Sequence, residues 1–80
     1  MSQIEVKLPK WGLTMEEGMI SEWLVSVGEQ VEEGQILANV EIEKAMAELE
    51  APVSGVLESI LVPIEQEIPV GTILCLIDTK

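Results

Sequence analysis

Two segments of this 80-residue chain repeat each other, and the repeat limits the folds that the chain can adopt. Residues 18–41 and 55–78 align without a gap at an offset of 37 residues, beginning with Gly18 and Gly55. Apolar residues recur in register along both segments, as in the pairs Leu24 with Leu61, Val25 with Val62, Val27 with Ile64 and Val31 with Ile68. This series of matches predicts two similar halves that are related by an approximate two-fold axis.

The chain is patterned for β-strands. Segments rich in Val, Ile and Leu cover residues 3–8, 19–25, 35–42, 45–51, 55–62 and 72–78. Clusters of Gly, Pro and Glu separate them, and no segment keeps a helical period. Several short strands in a chain of this length predict an all-β fold, either a flattened barrel or a sandwich of two sheets. The length allows one domain, so we expect residues 1–80 to form a single unit.

The composition excludes several kinds of site. The chain has no His and one Cys, which excludes Ser-His-Asp and Cys-His catalysis and any His/Cys metal cluster within it, so we expect no metal site. Trp11 and Trp23 are the only aromatic residues, so the core has to be aliphatic. Cys75 lies in the apolar run 73–77, and we expect a small buried core residue rather than a reactive thiol.

The net charge of −11 narrows the choice of partners. An acidic chain is repelled by phosphate backbones, so we expect no nucleic-acid binding. Simple solubility and steering toward basic protein surfaces explain the acidity equally well. No apolar run approaches the roughly 20 residues of a membrane span, and the first residues lack a signal-peptide pattern. We therefore expect no membrane association and a cytoplasmic location, or the mitochondrial matrix if the protein is eukaryotic.

Residues 35–52 have the pattern of a β-hairpin that is connected by Glu43 and Lys44. This register places eight apolar side chains on one face, in the pairs Ile42 with Ala45, Val40 with Ala47, Ala38 with Leu49 and Ile36 with Ala51. The mostly polar face receives Glu41 with Met46, Asn39 with Glu48 and Leu37 with Glu50. A slip of one residue would turn the apolar set toward water, so the pattern predicts that Lys44 lies at the hairpin tip.

Lys44 is the only cation between residues 11 and 79. Neighbouring carboxylates favour its charged form, which makes it a poor nucleophile without assistance. It is therefore either a solvated surface lysine or a handle that another enzyme modifies.

The two halves differ before the repeat begins, because the first half carries an extra loop at residues 10–17. Loops that interrupt a repeat often carry specificity. The residues themselves allow both a recognition loop and a tolerated insertion.

Three segments resemble the lipoyl domains of 2-oxo acid dehydrogenase complexes. Residues 41–45, Glu-Ile-Glu-Lys-Ala, are similar to the lipoylation motif, in which an acidic residue precedes the modified Lys and Ala follows it. Residues 8–18 resemble the opening loop of that family, and residues 50–55 resemble its acidic-Ala-Pro segment. The chain departs from the family pattern at Glu43, where Asp is usual, and at Ile42, where Thr or Ser is common.

The resemblance implies a flattened barrel, or sandwich, of two four-stranded antiparallel sheets with quasi-two-fold symmetry. It implies lipoate amide-linked to Lys44, with Glu43 and Ala45 as recognition neighbours. It also implies that the extra loop lies beside the hairpin and helps partners to recognise the domain, through Trp11, Leu13, Thr14, Met15, Glu16 and Glu17.

The function implied by the resemblance is a swinging-arm carrier of acyl groups and reducing equivalents, in a pyruvate- or acetoin-type dehydrogenase complex. The chain by itself is then not an enzyme, and its parent protein is a dihydrolipoamide acyltransferase. The implied partners are a lipoate-attaching enzyme, a thiamine-diphosphate decarboxylase, the acyltransferase core and dihydrolipoamide dehydrogenase.

Two alternatives stay open at this point. A biotin carrier domain shares the fold, but its usual motif has Met on both sides of the lysine, where this chain has Glu43 and Ala45. An unmodified binding module could use the same scaffold and dock through its acidic face.

Overall fold

The computed structural model describes residues 2–12, 15–43 and 45–79. These residues form strands and no helix, which confirms the all-β prediction. The strands are β1 (Gln3–Lys7), β2 (Glu17–Trp23), β3 (Gln30–Val31), β4 (Ile36–Ile42), β5 (Ala45–Glu50), β6 (Gly55–Ile60), β7 (Glu67–Pro69) and β8 (Ile73–Asp78). No helix that could cross a membrane is present in the described ranges.

The strands form two antiparallel four-stranded sheets, in the orders β1-β8-β6-β3 and β5-β4-β2-β7. Aliphatic side chains from both sheets meet in one core, which confirms the predicted sandwich. Fully buried examples are Leu57, Leu74 and Ile77 from the first sheet and Ile20, Leu37 and Val40 from the second.

The two sheets are copies of each other in topology and register, as the repeat predicts. A shift of 37 residues converts β2, β3 and β4 into β6, β7 and β8, and β1 corresponds to β5. The pair Met19–Glu41 thus recurs as Val56–Asp78. The register shift between Ile20 and Glu22 recurs between Leu57 and Ser59. The quasi-two-fold symmetry is therefore present in the hydrogen-bonded ladders themselves.

The halves exchange their short strands. β3 of the first half pairs with β6, and β7 of the second half pairs with β2. Equivalent backbone bonds hold the preceding loops: Gly28 N donates to Leu57 O at 2.7 Å, and Glu65 N donates to Ile20 O at 2.8 Å. The six apolar segments of the sequence correspond to the six long strands. The sequence pattern missed β3 and β7 because two or three residues are too few to show alternation.

The predicted hairpin register is wrong at its base, near Leu37. Leu37 was expected on the polar face opposite Glu50, but its side chain is fully buried, and Ile36 pairs with Glu50 instead. A bulge between Ile36 and Ala38 turns two consecutive residues toward the core. The Leu37 carbonyl is satisfied outside the ladder, because it accepts a bond of 2.8 Å from Leu24 N.

The second half repeats this bulge next to Cys75. Leu74 and Cys75 are both fully buried, and Leu74 O accepts a bond of 2.8 Å from Leu61 N. Burial raises the pKa of the Cys75 thiol to about 11. The prediction of a small buried core cysteine is confirmed, because a thiol in this environment stays protonated near neutral pH.

The equivalent positions 28 and 65 generate a prediction about stability. Both residues have positive φ, 94° for Gly28 and 62° for Glu65, and Glu65 is the only non-glycine residue with positive φ in the described ranges. A side chain in this left-handed region costs roughly 1–2 kcal/mol. Because glycine also adds entropy to the unfolded chain, we expect Glu65→Gly to raise the free energy of unfolding by only about 0.5–1 kcal/mol. Urea denaturation measures the difference.

Two further variants control this measurement. Gly28→Glu is the reciprocal change, and we expect it to lower the free energy of unfolding by about 1 kcal/mol or more. Glu33→Gly removes the same charge from an exposed position without positive φ, and we expect no stabilisation. Equal effects of Glu65→Gly and Glu33→Gly would contradict the explanation from backbone strain.

Candidate functional site

Strands β4 and β5 form the hairpin that the sequence predicts. The observed register confirms the pairs from Ile42–Ala45 down to Ala38–Leu49. Two residues therefore connect the strands, Glu43 and Lys44. Glu43 lies in the turn and is exposed, as is Ala45 on the other side. The predicted tip position of Lys44 itself lies outside the described residues.

The hairpin is anchored through β4 and open along β5. β4 pairs with both β5 and β2, whereas β5 lies at the edge of its sheet. Gly18 on β2 packs tightly against β4: a Cβ there would lie 3.2 Å from Val40 Cγ1 and 3.4 Å from Ile42 Cγ2, so the Val40 side chain would have to move slightly to accept it. Ile42 packs against the core, directly before the connection. The residues that precede Lys44 are thus held by the sandwich.

The extra loop predicted at residues 10–17 lies in the connection between β1 and β2, which covers residues 8–16, and Glu17 is already the first residue of β2. The equivalent connection between β5 and β6 covers only residues 51–54. Backbone bonds fix both ends of the longer connection: Leu8 N donates to Thr72 O at 2.9 Å, and Val70 N donates to Glu16 O at 2.9 Å. Within the loop, Met15 packs against the core. The predicted recognition residues Leu13 and Thr14 lie outside the described residues.

The loop and the hairpin end line a common open cleft of about 580 Å³. Its apolar lining comes from Trp11, Met15, Met19 and Ile42, and its carboxylates come from Glu16, Glu17, Glu41, Glu43 and Glu67. The structure thus brings most of the described candidate residues together, namely Trp11, Met15, Glu16, Glu17 and Glu43. Ala45 does not line the cleft.

Sequence reasoning did not single out Met19 and Glu67, which face each other across β2 and β7. The repeat contains a signal that could have found them. Gln30 and Val56 pair in the other half, and they are equivalent to Glu67 and Met19. The pairing becomes predictable once the short strand at residues 67–69 is recognised.

The carboxylates of the cleft interact with one another. The charge of Glu67 is the main cause that raises the pKa of Glu17; desolvation, a side-chain hydrogen bond with Glu67 and the charge of Glu16 act in the same direction. The folded state therefore binds this proton more tightly than the unfolded chain does. The stability that this group contributes is present below the ordinary pKa of 4.5 and is lost as the pH rises through the raised pKa.

This linkage predicts a pH-dependent effect of Glu67→Gln. The substitution removes the principal repulsion on Glu17, so we expect a higher Tm at pH 7 and a gain that shrinks as the pH falls below 4.5. Added salt should also reduce the gain because the repulsion is solvent-exposed. Calorimetry at several pH values measures it. Glu22→Gln, an exposed change on β2, is the matched control, and equal gains for both variants would contradict the assigned repulsion.

The fold and the site together define a class of protein: a pseudo-symmetric β-sandwich with a lysine in the two-residue connection of a hairpin. A family model described as "Biotin-requiring enzyme", which covers biotin and lipoyl domains, matches residues 4–77. The chain therefore belongs to the biotin/lipoyl domain family.

Its relatives include acetyltransferase components of an acetoin cleaving system and of a pyruvate dehydrogenase complex. The chain is 38% identical over 78 residues to the dihydrolipoyllysine-residue acetyltransferase component of the acetoin cleaving system of Pseudomonas putida, a match that covers 96% of this chain and 21% of the relative. The component of the same name from Bacillus subtilis is 40% identical over 74 residues, 92% of this chain and 19% of the relative. The dihydrolipoyllysine-residue acetyltransferase component of the pyruvate dehydrogenase complex of Zymomonas mobilis is 44% identical over 72 residues, 89% of this chain and 16% of the relative. The chain thus spans about a fifth of the length of the curated relatives it matches.

Proposed function

We propose that this chain is a lipoyl carrier domain whose Lys44 is the attachment site for lipoate. The observation that carries the proposal is the pairing of Ile42 with Ala45, which leaves Glu43 and Lys44 as the whole connection at an exposed strand end. The printed names of the relatives, which contain the word dihydrolipoyllysine, support lipoate as the attached group.

The residues around the connection fit the attached group. Lipoate carries a carboxyl group, and a lysine amine is the side-chain group that forms a stable amide with it. Glu43 and Ala45 are both exposed, so a modifying enzyme can reach the backbone on either side. When bound, lipoate supplies a cyclic disulfide that accepts an acyl group together with two electrons.

The contribution of the protein is presentation. β4 and Ile42 anchor the strand that leads to Glu43 and Lys44, and a covalent arm keeps the attached group at a high effective concentration near the active sites within its reach. The chain by itself then acts as a carrier and not as an enzyme. We further propose that residues 1–80 form one domain of a larger dihydrolipoamide acyltransferase.

The relatives favour a pyruvate- or acetoin-type complex. The proposed partners are a lipoate-attaching enzyme, a thiamine-diphosphate decarboxylase, the acyltransferase core and dihydrolipoamide dehydrogenase. The location that fits these partners is the cytoplasm, or the mitochondrial matrix in a eukaryote.

Lysine substitutions test the attachment site. Incubation of the chain with a lipoate-attaching enzyme should add the mass of one lipoyl group, and peptide mapping should locate it on Lys44. We expect Lys44→Arg to abolish the mass gain because the guanidinium keeps the charge but is not acylated. Lys10→Arg, the matched control, should be modified like the parent chain. A lipoyl group found on another lysine in Lys44→Arg would contradict the proposal.

A parallel incubation with a biotin-attaching enzyme separates the two cofactors. We expect no biotinyl mass, since Glu43 and Ala45 replace the Met residues that usually flank a biotin lysine. Efficient biotinylation without lipoylation would reverse the assignment.

The loop gives a third prediction, about recognition. Trp11 is 38% exposed and lines the cleft beside the hairpin, so we expect Trp11→Ala to lower kcat/KM for reductive acylation by the decarboxylase roughly tenfold, as for the loss of one good interface contact. The rate with the lipoylated domain as substrate measures this. Leu61→Ala removes an apolar side chain that is 52% exposed and does not line the cleft, and it should leave the rate unchanged. Equal losses for both variants would exclude a specific role of the loop.

A further inference from the structure

The cleft lies where the symmetry of the sandwich is broken. The two halves share their ladder registers, but residues 8–16 connect β1 to β2, whereas only residues 51–54 connect β5 to β6. The added loop supplies Trp11 and Met15 to the cleft, and the hairpin end supplies Ile42 and Glu43. The main departure from symmetry is therefore next to the residue that precedes Lys44.

The lining of the cleft suits a small neutral apolar group that contains sulfur. Met15 and Met19 are half-buried, and Trp11 exposes part of its indole. Thioether and indole groups are polarisable and pack favourably against sulfur. The carboxylates that line the cleft repel anionic ligands, just as the charge of Glu67 raises the pKa of Glu17. An uncharged ligand avoids this repulsion.

A group attached to Lys44 is joined to the chain one residue after the lining of the cleft. Glu43 lines the cleft, and Lys44 follows it directly in the chain. A short flexible tether produces an effective concentration in the mM range. A site with a dissociation constant in the same range is then about half occupied, even though it would hardly bind the free ligand.

Resting on the proposed function, we propose that Trp11, Met15 and Met19 form a docking site for the dithiolane ring of a lipoyl group on Lys44. The cleft holds the ring part of the time, and the arm exchanges between this site and solvent. While it is docked, the ring is covered by its own domain and is removed from solvent. The added loop then occurs only in the half of the sandwich that contains Lys44, because only this half carries the lipoyl arm.

Methionine methyl groups provide the test, because they report contact without any measurement of activity. The chain is labelled with ¹³C-methyl methionine, loaded by a lipoate-attaching enzyme, and checked by intact mass. We expect the methyl resonances of Met15 and Met19 to shift on loading. Met46 is the internal control: it is 59% exposed, it lies two residues from Lys44, and it does not line the cleft. Its resonance should change little.

Fluorescence gives an independent measurement on the same samples. A disulfide in contact with an indole quenches its emission, so in a Trp23→Phe background we expect loading to lower the emission of Trp11 by about half, in line with half occupancy. Met19→Gln should restore most of the emission, and Met46→Gln should not. A Trp11→Phe chain, which keeps only Trp23, should show no effect of loading.

Each outcome decides between the two proposals. Shifts confined to Met15 and Met19, with quenching that depends on Met19, support docking. A loaded chain in which Met46 shifts as much as Met19, or in which no methyl group shifts, overturns the docking site and leaves the carrier function intact. A chain that gains no lipoyl mass at Lys44 overturns both.

Discussion

The structure depends on the exchange of strands between the two halves of the chain. Each sheet contains two strands from each half, since β3 completes the sheet of β6 and β8 while β7 completes the sheet of β2 and β4. Two equivalent backbone hydrogen bonds join the halves next to the exchanged strands, from Gly28 N to Leu57 O and from Glu65 N to Ile20 O. Neither half can therefore satisfy its own backbone or cover its own aliphatic face, and the core forms only when both halves are in place.

The symmetry explains why much of the fold could be predicted from the sequence. The repeat fixes the relation between the halves, and the alternation of apolar residues from Ala38 to Leu49 fixes the register near the lysine. The bulge at Leu37 could not be predicted in the same way, because a pattern of period two has no place for two consecutive inward residues. The equivalent run Leu74-Cys75 carries the same signal, so a comparison of the two halves would have revealed both bulges.

Only part of the cleft lining could be predicted from the sequence, and the shape of the cleft could not. The sequence identified the hairpin and the loop as separate features, and a family resemblance placed them side by side. The cleft between them also needs β7, whose Glu67 lies opposite Met19, and a strand of three residues leaves almost no periodic signal. The repulsion between carboxylates in the cleft therefore depends on β7, the strand that the local sequence pattern predicts least well. Acidic residues far apart in the chain become neighbours only after the strands are exchanged.

The hydrogen bond from Thr79 N to Ser2 O, at 2.9 Å, has a consequence for protein engineering. The shift of 37 residues relates Ile42 to Thr79, and the offset between β5 and β1 relates Ala45 to Ser2. This contact is therefore the counterpart of the pair Ile42–Ala45. A circular permutant that joined these ends through a Glu-Lys dipeptide, and opened the chain at another exposed turn, would contain a second hairpin with the geometry of the first. The same sandwich would then carry a lysine in each of two equivalent hairpin connections, and only one of these connections would have the added loop in its half.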